Sequence, residues 1–166
     1  EILYKTIVEK NADMIDTNYI IDIFNKRYKG FTYEKKYVEF SPGKSFDKFQ
    51  YQWVLWAGIF KKTLLENVHI KSSLYDDGYY YVNAFINSKK IIYLNDFHTY
   101  VHNYNKDSIT SKPSINRLTE GLKTIYNTML SLEKQNIDSF KVINCFLSSL
   151  LASILMSNLS YSENKE

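Results

Sequence analysis

The chain has 166 residues, 45% of them apolar and 23% charged, and carries a net charge of +3. That is the length of one domain, or of one with a small appendage, and its globular balance excludes disorder, collagen-like repeats and low-complexity linkers. The single Cys excludes a disulfide framework and Cys-rich zinc modules and points to a reducing compartment, and the scattered lysines argue against a dedicated nucleic-acid binder.

Glu1 stands inside a helical pattern in which Ile2, Leu3, Ile7 and Val8 share a face, with no leader ahead of it, so the chain reads as a segment of a longer protein. The spacing predicts a helix over 2–10 that ends near Asn11. Residues 13–24 are rich in Ile and alternate in part, which predicts a strand or strand pair. Arg27–Gly30 reads as a turn, and Phe31–Phe40 as a strand of aromatic and β-branched residues. Ser41-Pro42-Gly43 is a breaker, after which Phe46–Gln52 reads as a short helix with Asp47 in its first turn. Trp53–Phe60 is an apolar run of strand length, and Thr63–Asn67 looks like a helical turn. A helix is predicted over Asp76–Ser88 with Tyr80, Tyr81, Ala84 and Phe85 turned inward, and Lys90–Leu94 and Thr99–Tyr104 read as two more strands. The mixed order predicts an α/β sheet domain.

The last third changes character. Ile115, Leu118, Leu122, Ile125, Met129 and Leu132 step by three and four, an a/d seam, and Phe140, Ile143, Leu147, Leu150 and Ile154 repeat the spacing. Gln135–Asp138 is a short link with Asp138 placed to cap the second helix, so residues 113–166 are expected to form an antiparallel helical hairpin. Phe140–Leu159 is about as long as a membrane span, but Lys141, Asn144, Ser148, Ser149, Ser153, Ser157 and Asn158 interrupt it. It reads as a well-buried helix, with contact to a membrane surface left open. Cys145 falls on the apolar face of this helix and reads as a packed thiol.

The motifs for a phosphate-cradling glycine loop, HExxH, GxSxG and CxxC do not occur in the chain, which excludes P-loop NTPases, zincins, α/β-hydrolases and thioredoxin-like chemistry from it. The 15 tyrosines suit a core that meets a polar ligand such as a sugar; a composition rich in Lys, Asn and Ile gives the same count without any ligand.

Residues 53–110 carry an ordered set of motifs. Trp56-Ala57-Gly58-Ile59-Phe60-Lys61-Lys62-Thr63-Leu64-Leu65 comes first, then Leu74-Tyr75-Asp76-Asp77-Gly78-Tyr79-Tyr80, then Lys89-Lys90-Ile91-Ile92-Tyr93-Leu94, and a tyrosine-bearing stretch that ends Asp107-Ser108-Ile109-Thr110. This order and spacing resembles the C-terminal half of bacterial family-2 glycosyltransferases of the GT-A fold, the kind that build capsules and other surface polysaccharides. Asn11-Ala12-Asp13-Met14-Ile15-Asp16 is similar to the stretch that follows the family's metal-binding D-x-D. The resemblance covers about residues 1–112 and implies a partial GT-A-like mixed sheet with flanking helices, the acceptor-side part of the domain, with the hairpin beyond it.

By the same resemblance Asp77 is the general base of an inverting transfer from a nucleotide sugar to a glycan or lipid-linked acceptor, and Asp76 orients that acceptor. An Asp at a helix start has a fixed direction, and the helix dipole favours its ionised form. The bland alternative is that both aspartates only stabilise the helix start. Trp56 and Tyr80 would border the acceptor, Trp56 reading equally as a core indole. His102 stands where Arg is often found and would contact the diphosphate or a metal, or be an ordinary surface histidine; His98 and His69 carry less weight. Asp76 replaces the family's usual Glu, and Gly58 its frequent Lys or polar residue. The donor half, with the D-x-D and its Mg²⁺ or Mn²⁺, is expected upstream of Glu1. The implied protein is cytoplasmic and does not bind nucleic acid; association with the inner face of the membrane and dimerisation through the hairpin are left open. The alternative to an enzyme is a non-catalytic interaction or oligomerisation module.

Overall fold

The computed structural model describes residues 1–23, 26–29, 37–40, 54–69, 76–103 and 115–134, together with Ser148. The chain divides into two compact units, Glu1–His69 with Tyr80–Tyr104, and Ile70–Tyr79 with Asn105–Glu166. Among the described residues the fold is mixed α/β, with three α-helices and a mixed five-stranded sheet. No described helix is long and apolar enough to cross a membrane.

In the first unit, α1 (Ile2–Glu9) runs into β1 (Met14–Ile23) through a tight reversal. Asn11 adopts φ 46°, a left-handed conformation that Asn tolerates, and the Asn11 and Ala12 amides cap the Val8 and Ile7 carbonyls at 3.1 and 3.0 Å. Leu3 and Ile7 pack on Ala12, Ile15, Ile59, Ile92 and Leu94. The expected four-residue face is narrower than the spacing suggested: Ile2 and Val8 are 57% and 60% exposed. A helix of two turns touches the sheet along one i, i+4 stripe, and Leu3–Ile7 is that stripe.

β1 is the organising strand. It pairs in parallel with β5 (Ile91–Asn103) on one side. On the other it pairs antiparallel with β4 (Gly58–Phe60) along its start and with β2 (Lys26–Lys29) along its end. β3 (Tyr37–Phe40) closes the far edge, antiparallel to the start of β5. The turn expected at 27–30 is instead strand from Lys26 to Lys29, with Arg27 opposite Asp22 and bonded to it at 3.2 Å. All four residues are exposed, so this strand has no apolar alternation to read.

Two other expectations change in the same region. The apolar run before Phe60 is not one strand; Leu55–Ala57 forms a 3-10 turn and only Gly58–Phe60 pairs. The two strands read at 90–94 and 99–104 are one strand interrupted by a bulge. Thr17 pairs with Leu94, Asn18 with His98 and Tyr19 with Tyr100, so Asn95–Phe97 and Thr99 are surplus to the ladder. The surplus is stitched down by side chains: Asn18 Nδ2 donates to the Asn95 carbonyl and side chain, and Thr17 Oγ1 bonds Thr99 Oγ1 and the Ala57 carbonyl.

α2 (Asp76–Asn87) carries Tyr81, Val82, Ala84 and Phe85 as buried residues; Tyr80 is only half-buried. Side chains alternate across a strand, so Ile15, packed with α1, and Asp16, bonded to Tyr81 of α2, lie on opposite faces of β1. The sheet of this unit is therefore covered on both sides over its first half.

In the second unit, α3 (Ile115–Lys134) follows the expected helix, but its buried face keeps only part of the expected seam: Leu132 is buried as expected. The seam residues Leu122 and Met129 are 46% and 44% exposed, whereas Thr124 and Thr128, outside the seam, are buried. The threonines go inside because each hydroxyl is satisfied locally, Thr124 on the Glu120 carbonyl and Thr128 on the Thr124 carbonyl at 2.7 Å. The predicted Phe46–Gln52 helix, most of the Phe31–Phe40 strand, the second arm of the hairpin with Cys145, and its link at 135–138 lie outside the described residues.

Candidate functional site

The first unit gathers aromatic rings around Trp56. The indole sits on the 3-10 turn before β4, and Tyr19 and Tyr100 face each other across the β1–β5 ladder. Tyr100 and His102 are two residues apart on one strand and so share a face. Trp56 stacks on His102 with ring centroids 5.7 Å apart and planes 5° from parallel. It meets Tyr100 at 4.4 Å and takes Tyr19 edge-on at 4.9 Å. The bulge at 95–99 makes this possible, because it moves β5 in register just before these residues. Tyr100 is 42% exposed and His102 is exposed, so the cluster is a shelf open to solvent on one side. Burial pushes the Tyr19 phenol above its ordinary value, so that hydroxyl stays protonated and can donate.

Two sequence-predicted residues, Trp56 and His102, are thus brought into contact. Tyr19 and Tyr100, missed by sequence reasoning, join them. For Tyr100 the available signal was its place two residues from His98 and His102 on one strand; Tyr19 carries no such local signal and is found only by its pairing with Tyr100.

Asp76 and Asp77 open α2, in a turn that belongs to the second unit. Asp77 is exposed, and its carboxyl is held above the usual range by partial desolvation and by the negative charge of Asp76. A carboxylate so raised is a better proton acceptor than an ordinary surface Asp.

Two further aspartates, three residues apart, have opposite environments. Asp13 accepts from Lys61 Nζ at 2.7 Å and from the Lys89 and Lys90 amides at 2.8 and 3.2 Å. Its burial opposes ionisation, but these bonds and the Lys61 charge outweigh it and hold the carboxyl below its ordinary value. It joins the ends of β4 and α1 to the start of β5. Asp16 is 1% exposed and bonded to the Tyr81 hydroxyl.

A groove of about 1130 Å³ runs between α1, β4 and the bulge, lined by Tyr4, Ile7, Val8, Phe60, Phe97 and His98 among others. Of the candidate site residues named from the sequence it contains only His98, and its lining is mostly apolar. The His98 Nε2 atom is buried without a hydrogen-bond partner among the described residues.

Among the described residues no group of three or more His, Cys, Asp or Glu side chains comes together to hold a metal ion. No protein-family model matches the chain, and no curated protein matches it.

Proposed function

We propose that the chain is the acceptor-side segment of an inverting glycosyltransferase, which moves a sugar from a nucleotide-sugar donor to a glycan or lipid-linked acceptor. The observation that carries the reading is the aromatic shelf: Trp56 and His102, drawn from two separate motifs, lie ring on ring. A half-open face of indole, phenol and imidazole is what the apolar C–H face of a sugar ring stacks on, while phenolic hydroxyls bond its rim. The GT-A-like identity of the sheet belongs to this proposal too.

In the transfer, the acceptor hydroxyl attacks the anomeric carbon of the donor, the bond from that carbon to the diphosphate breaks, and the hydroxyl proton passes to Asp77. The raised proton affinity of Asp77 supports that role, because transfer concerted with attack gains from a stronger base. Asp76 orients the acceptor, Tyr80 borders it, and His102 is available to the leaving diphosphate. Asp77→Asn in the full-length protein removes the proton acceptor with little change in shape. Sugar transfer is expected to fall by ~10²–10⁴-fold with donor affinity preserved. Equal loss of donor binding and turnover would give Asp77 a structural role, and full activity would remove it from the mechanism.

A second reading, an interaction module that self-associates through α3, is favoured by one observation. Leu122, Tyr126 and Met129 follow at i, i+4 and i+7 and are 46%, 61% and 44% exposed. Sedimentation of the chain against concentration separates the two: a tight dimer lost in Leu122→Asp, with no transfer activity in the full-length protein, supports the module.

A further inference from the structure

The proposed transfer makes no use of a carboxyl group buried at the centre of the first unit. Asp16 is 1% exposed on β1, between Gly58 of β4 and Tyr93 of β5, its ladder partners on either side. Gly58 adds no side chain, and a Cβ there would stand 2.2 Å from the Ile15 carbonyl oxygen and 3.1 Å from Asp16 Oδ1. From α2, Tyr81 donates its hydroxyl to Asp16 Oδ2 and is itself 1% exposed. The titratable groups that these elements bring to Asp16 are the two buried phenols, Tyr81 and Tyr93, and no cation bears on it among the described residues.

An anion enclosed in this way is poorly solvated, whereas the protonated acid keeps its hydrogen bond to Tyr81 without that penalty. Burial, only partly offset by the Tyr81 hydroxyl, raises the Asp16 carboxyl to about 7. We propose that Asp16 and Tyr81 form a proton-tightened clasp between β1 and the 80–87 segment of α2, closed when the carboxyl is protonated and loosened when it ionises. The clasp lies within the first unit and holds whether or not the chain transfers sugars.

Once opened to water, the Asp16 carboxyl ionises near 3.8, and in the closed clasp near 7. Between those values the open form binds fewer protons than the closed one. Opening therefore gains about tenfold per pH unit and levels off above 7.

Amide exchange of residues 80–87 in the full chain, corrected for intrinsic exchange, tests this from pH 5 to 8 in wild type and Asp16→Asn. Asn keeps the shape and an acceptor for Tyr81 but cannot ionise. The ratio of wild-type to variant opening constants is expected to rise about 50-fold from pH 5 to 7, gain about another twofold by pH 8 and then level off. A constant ratio overturns the clasp. Should Asp16→Asn fail to fold, Tyr81→Phe compared with wild type carries the test. Losing the hydroxyl removes a hydrogen bond that favours the anion, so the pH at which protection stops falling moves upward. Superimposable profiles for Tyr81→Phe and wild type, or wild-type protection that is flat from pH 5 to 7, also overturn it.

Discussion

The first and second halves of the β1–β5 ladder are built from the same two strands yet meet different surroundings. Met14 to Asn18 and Ile91 to Tyr93 are buried without exception, polar Asp16, Thr17 and Asn18 included. Past the bulge, Tyr100 and Val101 are both 42% exposed although one is aromatic and the other aliphatic. Burial here follows what covers the sheet rather than what the strand is made of. Helices close over the first half, and each polar group inside it has a built partner; the second half is left as a surface on which rings collect.

Core substitutions should show the largest contrast. Ile92→Ala, at a 0% exposed position, should lower stability by about 2–5 kcal/mol, whereas Val101→Ala should stay within about 0.5 kcal/mol. Chemical denaturation of the two variants measures both, and a Val101→Ala loss equal to that of Ile92→Ala would erase the distinction between the halves.

A smaller effect is expected at the edge of the buried half. Asp13→Ala removes an acceptor of three hydrogen bonds and should cost about 2 kcal/mol at neutral pH, discounted for the exposure of Lys61. Because folding lowers the Asp13 carboxyl below 3.8, its contribution is present above that value and is lost as pH falls through the folded-state value. Wild type and variant should therefore converge in strong acid. A gap that persists there would assign the loss to packing rather than to the carboxylate.

The open half should respond least in stability and most in binding. Tyr100→Ala and His102→Ala should each change stability by less than about 1 kcal/mol, yet raise the acceptor KM of the full-length protein roughly three- to tenfold, the size of one ring contact. Acceptor titrations at saturating donor read this. An unchanged KM in both variants would leave the shelf as packing alone.

Much of this layout was legible in the sequence. The opening helix, the Ile-rich β1 and the helix begun by Asp76 and Asp77 all carry their periodicity on the surface of the text. The exposed charged β2 did not, because nothing in it alternates. The unity of β5 was hidden by its polar middle, whose residues are held by Asn18 and Thr17 from the neighbouring strand. On α3 the leucine and methionine spacing located the buried face only at Leu132; at Leu122 and Met129 burial moved to Thr124 and Thr128, since threonines that satisfy their own hydroxyls can enter a core. Trp56 and His102 were named as separate candidates; their stacking depends on a register shift that no local pattern encodes.

Gly58 carries a packing constraint set by the strand beside it. Its backbone is extended, with φ −171°, a conformation open to any residue, so the restriction comes from the 2.2 Å approach to the Ile15 carbonyl and the tight contact with Asp16. Drift at this position is therefore blocked while β1 and β4 keep their present spacing. A larger residue there would force the two strands apart, which would also open the wall beside Asp16. A selection on libraries randomised at position 58 alone should therefore recover mainly glycine.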